Sequence, residues 1–546
     1  MDASPEPRPA GARLLDAATA RLLSLPDATE DFTVTRDVRI PMRDGVTLAA
    51  DLYRPAGGTP AGTLLIRGPY GRGLIMATLL ARIYAAHGYQ ALFVSCRGTF
   101  GSGGAFDPMR TEVEDGLDVV AWLREQPWFT GTFATLGPSY LGFTQWALLT
   151  DPPPEMAAAI SLVGPHDLAR RTWGTGAFGM ELLGWSDMIA HQEDGGMAGR
   201  LRMLTARRRL RPVLDALPLA DAADAHFAGR APWFRYRATH PDITEPYWAP
   251  MRYGAALDRA AIPILLIGGW QDLFLDQTIE QYERLHARGV DVALTVGPWA
   301  HVDVLGKGSP IVARETLDWL DENLAHRAPR RRTAPVRIFV TGAGAWRDLP
   351  EWPPPTVPYE LYTDARGALS PTAPPPGRPP SAFTFDPSDP TPTVGGPLLD
   401  GGGVTDDRRL AARPDVLAFT SGPLERDLDV YGAPRVELAH TTDNPHADLF
   451  VRLSEVDPRG RSHNVTETYL RLDPARDAAP ITLALRPIAH RFRTGNRIRL
   501  LIAGGSHPHY ARNLGTDENP STGTTLRPSR HTLRHGPSRI LLPGIG

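Results

Sequence analysis

The sequence predicts a mostly parallel β-sheet covered by helices, interrupted by a helical insertion and followed by an antiparallel β-sandwich. Three observations carry this prediction. From about residue 32 to 164, and again from about 259 to 333, short apolar strands alternate with helical stretches. Between them, 165–258 is rich in Ala, Leu, Met and Arg and lacks strand signals. From 334 to the end, short strands set apart by turn residues dominate.

In chain order, residues 1–31 form an N-terminal extension. Strands are expected around Val46 to Leu52, Gly62 to Arg67, Ala91 to Ser95, Thr132 to Leu136 and Ala158 to Val163. Glu112 to Gln126 reads as an amphipathic helix with Val113, Leu117, Val120 and Leu123 on its buried side. The insertion has glycine breaks at Gly174, Gly176 and Gly195. After it come the buried strands Ile262 to Trp270 and Val292 to His301, then a helix over Arg314 to Asn323. In the last zone, VRIFV at Val336, PRVELA at Pro434, DLFVRLSEV at Asp448, ITLALR at Ile481 and IRLLIAG at Ile498 read as strands. Glu351 to Asp406 is rich in Pro and Gly and reads as surface loop.

Composition narrows the function classes. With 546 residues the chain exceeds one hydrophobic core. A hydrophobic fraction of 42%, a charged fraction of 22% and a net charge of -3 are ordinary for a globular protein and offer nothing to nucleic acid or an anionic membrane. The single cysteine, Cys96, excludes an internal disulfide and cysteine-rich zinc sites. The first 25 residues lack a basic start followed by an apolar core, and no apolar run reaches membrane-spanning length, so a cytoplasmic location is expected. The arginine runs at 206–211 and 330–332 read as solvated surface. His507, His509, His531 and His535 lack metal-ligand spacing, so no metal is expected.

Chemistry enters at FATLGPSYLG, Phe133 to Gly142. A strand runs into Gly137, Ser139 follows, and a helix-like stretch comes after. This is the strand–turn–helix setting of a nucleophile elbow, although glycine stands three residues after the serine rather than two. An α/β-hydrolase needs an acid and then a histidine later in the chain. Asp272 follows one late strand and His301 the next. The base must reach the serine hydroxyl, and a buried carboxylate must hold the base in one tautomer. Asp272 also reads as a helix N-cap, and Asp167, Asp187 and Asp276 are rival acids.

The segments RDVRIPMRDGVTLAADLYRP, GPYGRG, FVSCRGTFGSGG, GPSYLG, GGWQD, GPWAH, WRDLPEWPPP and HRFRTGNRIRL together resemble the cocaine-esterase and X-Pro dipeptidyl-peptidase group. The resemblance runs from about residue 32 to the end. It implies an α/β-hydrolase core (32–164 and 259–333), a helical cap (165–258) and a C-terminal jelly-roll sandwich (334–546). It also implies a triad of Ser139, Asp272 and His301, with glycine at serine plus three as a family trait. The matching oxyanion donors are the Tyr70 hydroxyl and the backbone N–H of Tyr140, and the aromatic acyl pocket falls on Trp173, Trp185 and Phe274. The activity expected is serine ester hydrolysis of a small acyl substrate, with no cofactor. Release of X-Pro dipeptides and an α-amino-acid ester hydrolase or acylase activity are the alternatives, and a ligand-binding β-sandwich is the non-enzymatic one. The expected partner is a small ester or amide, with no nucleic acid and no membrane, and the chain is compatible with a homo-oligomer.

Overall fold

A computed structural model describes residues 6–7, 10–475 and 480–545. The remainder of the N-terminal extension, 1–5 and 8–9, lies outside the described residues. The chain divides into two compact units. The first comprises Met1–Leu168, Pro246–Gly269 and Phe274–Arg337; the second comprises Ala169–Glu245, Trp270–Leu273 and Ile338–Gly546.

The sheet of the first unit includes β1 (Phe32–Pro41), β2 (Thr47–Pro55), β3 (Thr63–Gly68), β4 (Gln90–Ser95), β5 (Phe133–Pro138), β6 (Met156–Leu162), β7 (Ile264–Gln271) and β8 (Val292–Ala300). Its spatial order is β1-β2-β4-β3-β5-β6-β7-β8. The β3–β4, β3–β5, β5–β6 and β6–β7 pairs are parallel, whereas β1–β2 and β2–β4 are antiparallel. Every residue of β3, β4, β5 and β7 is buried, as expected of strands covered on both faces. By contrast, β1 keeps many side chains in solvent. The covering helices include α1 (Glu112–Arg124), α2 (Tyr140–Leu148), α3 (Leu275–Ala287) and α4 (Ser309–Asn323).

The structure corrects the sequence expectation for α1. Its fully buried residues are Glu112, Asp115, Gly116, Val119, Val120 and Leu123, while Val113 and Leu117 are only half-buried. Two carboxylates lie on the inner face because two arginines meet them there. Arg67 Nη2 lies 2.8 Å from Glu112 Oε2, and Arg97 Nη2 lies 2.6 Å from Asp115 Oδ1. Buried charge is tolerated only when paired in this way. The arginine run at 330–332 is spent on ion pairs with Asp291, Asp318 and Glu315.

In the second unit, the helices between Leu168 and Thr239 accompany a twelve-stranded β-rich assembly. Within the Pro/Gly-rich stretch expected to be loop, three short strands form: Val357–Asp364, Ala368–Ser370 and Ser381–Phe385. The last strand, Ser529–Gly544, ties the assembly together by pairing with Val357–Asp364, Ser381–Phe385, Leu428–Gly432 and Arg435–Thr442. Leu361, Phe383, Val430, Leu449, Val451 and Leu500 lie in its apolar core.

The helical segment is joined to this assembly by backbone. Met180 N–H donates to His509 O at 3.0 Å, Ala511 N–H to Phe178 O at 2.9 Å and Arg471 N–H to Thr175 O at 2.8 Å. A half-buried ion cluster adds to the seam, with Glu181 between Arg171 and His509. Burial alone would raise the Glu181 carboxyl, but the Arg171 charge and the contact with His509 outweigh it and bring it down to about 2.

Candidate active site

Ser139 stands between β5 and α2 with φ 56° and ψ -120°, a conformation that L-residues rarely adopt. The surrounding backbone holds it there. Ser139 N–H donates to Leu162 O at 2.9 Å, while Ser139 O accepts from Gly142 and Phe143 at 2.8 and 3.0 Å. The glycine at serine plus three has a steric cause: a Cβ on Gly142 would lie 2.5 Å from Gly164 Cα. A Cβ on Gly137 would lie 2.3 Å from Leu141 Cβ, so the strand can approach the helix only as glycine.

The sharp turn leaves the Ser139 side chain half-buried rather than sealed in the core. His301 follows β8 directly, and its Nε2 lies 3.0 Å from Ser139 Oγ across 162 positions of sequence. The imidazole is 8% exposed, and the Phe274 ring meets it edge-on at 5.5 Å between centroids. A hydroxyl within hydrogen-bond reach of a shielded imidazole is the arrangement that turns an alcohol into a nucleophile.

Asp272 comes immediately after β7 and is fully buried. Helix α3 begins at Leu275 with Phe274 as its N-cap, so Asp272 does not serve as the cap of that helix. The rivals are placed differently. Asp276 is exposed in the first turn of α3. Asp167 pairs with Arg252 at 3.2 Å. Asp187 is held by Arg209, Arg202 and His226; its burial favours the neutral acid, but these partners push the carboxyl far below its ordinary range.

Tyr70 lies in the turn after β3, half-buried, its ring 6.4 Å from that of Tyr140. Tyr140 opens α2, so its backbone N–H sits at the helix start beside Ser139, where partial positive charge collects. Its side chain runs into the core. Trp173 and Trp185 belong to the second unit and are buried. Trp173 Nε1 donates to Arg237 O at 2.7 Å, and its ring packs on Phe178 at 5.2 Å.

Sequence inspection missed a set of buried polar groups behind the elbow: Arg67, Glu112 and the Tyr140 hydroxyl. The signal available was an Arg inside a strand and a Glu at a helix start, both ordinary on a surface. Cys96 is buried, and burial together with the Glu112 charge pushes its thiol well up, which leaves it unreactive. Among the described residues, no group of three or more His, Cys, Asp or Glu side chains forms a metal site. The late histidines have separate partners: His507 with Asp215, His509 with Glu181, His531 with His440, and His535 with Thr363.

Comparison with known proteins matches residues 44–303 to the X-Pro dipeptidyl-peptidase (S15 family) and residues 330–540 to the X-Pro dipeptidyl-peptidase C-terminal non-catalytic domain. Cocaine esterase of Rhodococcus sp. (strain MB1 Bresler) is 28% identical, over 94% of this chain and 99% of that protein. The chain belongs to the S15 and cocaine-esterase family of serine hydrolases. Solved structures agree on the fold. An α-amino acid ester hydrolase superposes with a TM-score of 0.82 at 24% identity, covering 95% of this chain and 98% of that one. An aminopeptidase from a marine sediment archaeon, Thaumarchaeota archaeon, gives 0.81 at 22% identity, with coverage of 95% and 98%. The family architecture, an α/β-hydrolase core followed by a C-terminal β-rich domain, is that of this chain.

Proposed function

We propose that this member of the family hydrolyses carboxylic esters of small acyl groups through an acyl-serine intermediate on Ser139. The observation that carries this is the 3.0 Å approach of His301 Nε2 to the hydroxyl of a serine held in elbow geometry. His301 takes the Ser139 proton as Oγ attacks the ester carbonyl carbon. The Tyr140 N–H and the Tyr70 hydroxyl receive the oxyanion. The imidazolium then protonates the leaving alcohol, and the acyl-enzyme remains. Water, deprotonated by the same imidazole, attacks the acyl carbon, and the acid departs as the proton returns to Ser139. Asp272 keeps the His301 ring in the tautomer that leaves Nε2 free to accept. Phe274, beside His301, is the aromatic side chain that meets the acyl group, and the family resemblance offers Trp173 and Trp185 as further candidates.

No cofactor takes part in these steps. The substrate is a small molecule, with no nucleic-acid or membrane partner. No described helix is long and apolar enough to cross a membrane. A single buried cysteine suits a reducing, cytoplasmic setting. The relatives support esters: cocaine esterase by sequence over nearly the full chain, and the family by its serine chemistry. The family description favours one second reading, release of X-Pro dipeptides. That reaction needs carboxylates to bind a free amino terminus.

Two measurements test the proposal. A fluorophosphonate probe is expected to label the folded protein at Ser139 and nowhere else, and an unlabelled folded protein refutes the serine assignment. Nitrophenyl esters of short, aromatic and aminoacyl groups, assayed beside Xaa-Pro anilides, separate the readings, since faster turnover of the anilides rejects the esterase. Tyr70→Phe is expected to lower kcat by about 10²–10³-fold, the usual loss for one oxyanion donor, with KM little changed. Unchanged kcat removes Tyr70 from the oxyanion site.

A further inference from the structure

Tyr140 gives the elbow two groups that point apart. Its backbone N–H is the proposed oxyanion donor. Its side chain, 2% exposed, reaches a buried carboxylate. Met109 N–H donates to Tyr140 Oη at 2.7 Å, and Oη donates to Glu112 Oε1 at 2.8 Å. The other carboxylate oxygen, Oε2, accepts from Arg67 Nη2 at 2.8 Å, and Arg67 Nη1 donates to Glu112 O at 3.0 Å. Cys96 Sγ lies 3.7 Å from Oε2. Glu112 and Arg67 are 3% and 5% exposed, so this cluster is shielded from water.

Arg67 is the penultimate residue of β3, three positions before Tyr70. One carboxylate therefore holds both pieces of chain that carry the proposed oxyanion donors: β3 through Arg67, and the start of α2 through Tyr140. Helix α1 makes room for the arginine at Gly116, where a Cβ would fall 2.3 Å from Arg67 Nη1. A buried ion pair is a costly way to fill space, and apolar side chains of the same volume pack as well or better. What directed hydrogen bonds supply is a fixed orientation. Burial pushes the Glu112 carboxyl up, and Arg67 opposes that rise.

We propose that Glu112 is a positioning residue for catalysis, clamping Arg67 and Tyr140 so that the two oxyanion donors keep a fixed spacing around the Ser139 adduct. This rests on the acyl-serine reading above. It acts on the transition state and not on substrate affinity, because the clamp lies behind the elbow.

The test compares Tyr140→Phe, Glu112→Gln, Ser139→Ala and Leu320→Ala, the last in the core of α4. Tyr140→Phe deletes one oxygen and keeps the backbone amide, so it decides the matter even where Glu112→Gln fails to fold. Tyr140→Phe is expected to lower kcat about 10-fold, with KM within about twofold of the wild type. The affinity of a boronic acid, whose serine adduct places an oxygen in the same hole, falls in parallel. Leu320→Ala lowers the melting temperature but keeps kcat. If Tyr140→Phe retains both kcat and boronate affinity while Ser139→Ala is inactive, the clamp is overturned and the nucleophile stands. An active Ser139→Ala overturns the nucleophile, and the clamp with it.

Discussion

Replacing Ser139 by alanine is expected to lower kcat for ester hydrolysis by roughly 10⁵–10⁶-fold and to abolish labelling by a fluorophosphonate. The size of the loss follows from the chemistry. Without Oγ there is no acyl-enzyme, and water must attack the substrate directly. The oxyanion donors and substrate binding still supply some rate, so activity falls toward that residue and not to the uncatalysed reaction. The fold is expected to persist. Ser139 anchors the elbow through its backbone, by the bonds to Leu162, Gly142 and Phe143, and alanine keeps all of these. A circular dichroism spectrum and melting temperature like those of the wild type are the control. A variant that folds and still turns over at the wild-type rate refutes the assignment.

The second large effect is expected at Asp272. Asp272→Asn changes one atom in a fully buried side chain and is expected to cost about 10⁴-fold in kcat near neutral pH, because an amide no longer favours the tautomer with a free Nε2. KM changes little, since the loss is confined to the base. Asp276→Asn is the comparison: that carboxylate is exposed on the first turn of α3, and its replacement is expected to leave kcat unaltered. Equal losses at both positions, or a loss at 276 alone, reassign the acid. A plot of log kcat against pH for both variants separates a shifted base from a general loss of structure.

The parts of the fold with a strong apolar period were the most legible from sequence. Strands such as Thr63–Gly68 and Ile264–Gln271 are continuous buried runs, and they emerged close to where they were expected. Ser139 and His301 were legible because each follows such a strand, and the fold brings the two side chains together. The inner face of α1 was misjudged for an electrostatic reason. Periodicity counts apolar side chains, whereas Glu112 and Asp115 are buried by charge partners 45 and 18 positions away in the chain. Nothing local to Glu112 announces Arg67. The glycine at serine plus three was visible, but its cause, contact with Gly164, is a long-range packing fact. Two of the strands inside the Pro- and Gly-rich stretch, Val357–Asp364 and Ser381–Phe385, were missed because they borrow their pairing from Ser529–Gly544 at the far end of the chain.

The backbone bonds that join Thr175, Phe178 and Met180 to Arg471, Ala511 and His509 have a consequence for how such a gene can change. Stretches of DNA roughly three hundred codons apart encode the two sides of one seam. A crossover between diverged relatives that exchanges the tail alone pairs a helical insertion of one lineage with a sandwich of another. Such chimaeras inherit both halves of the hydrolase core intact but mismatch the side chains at the seam, such as Glu181 against His509, so the two regions are expected to travel through evolution as a linked pair.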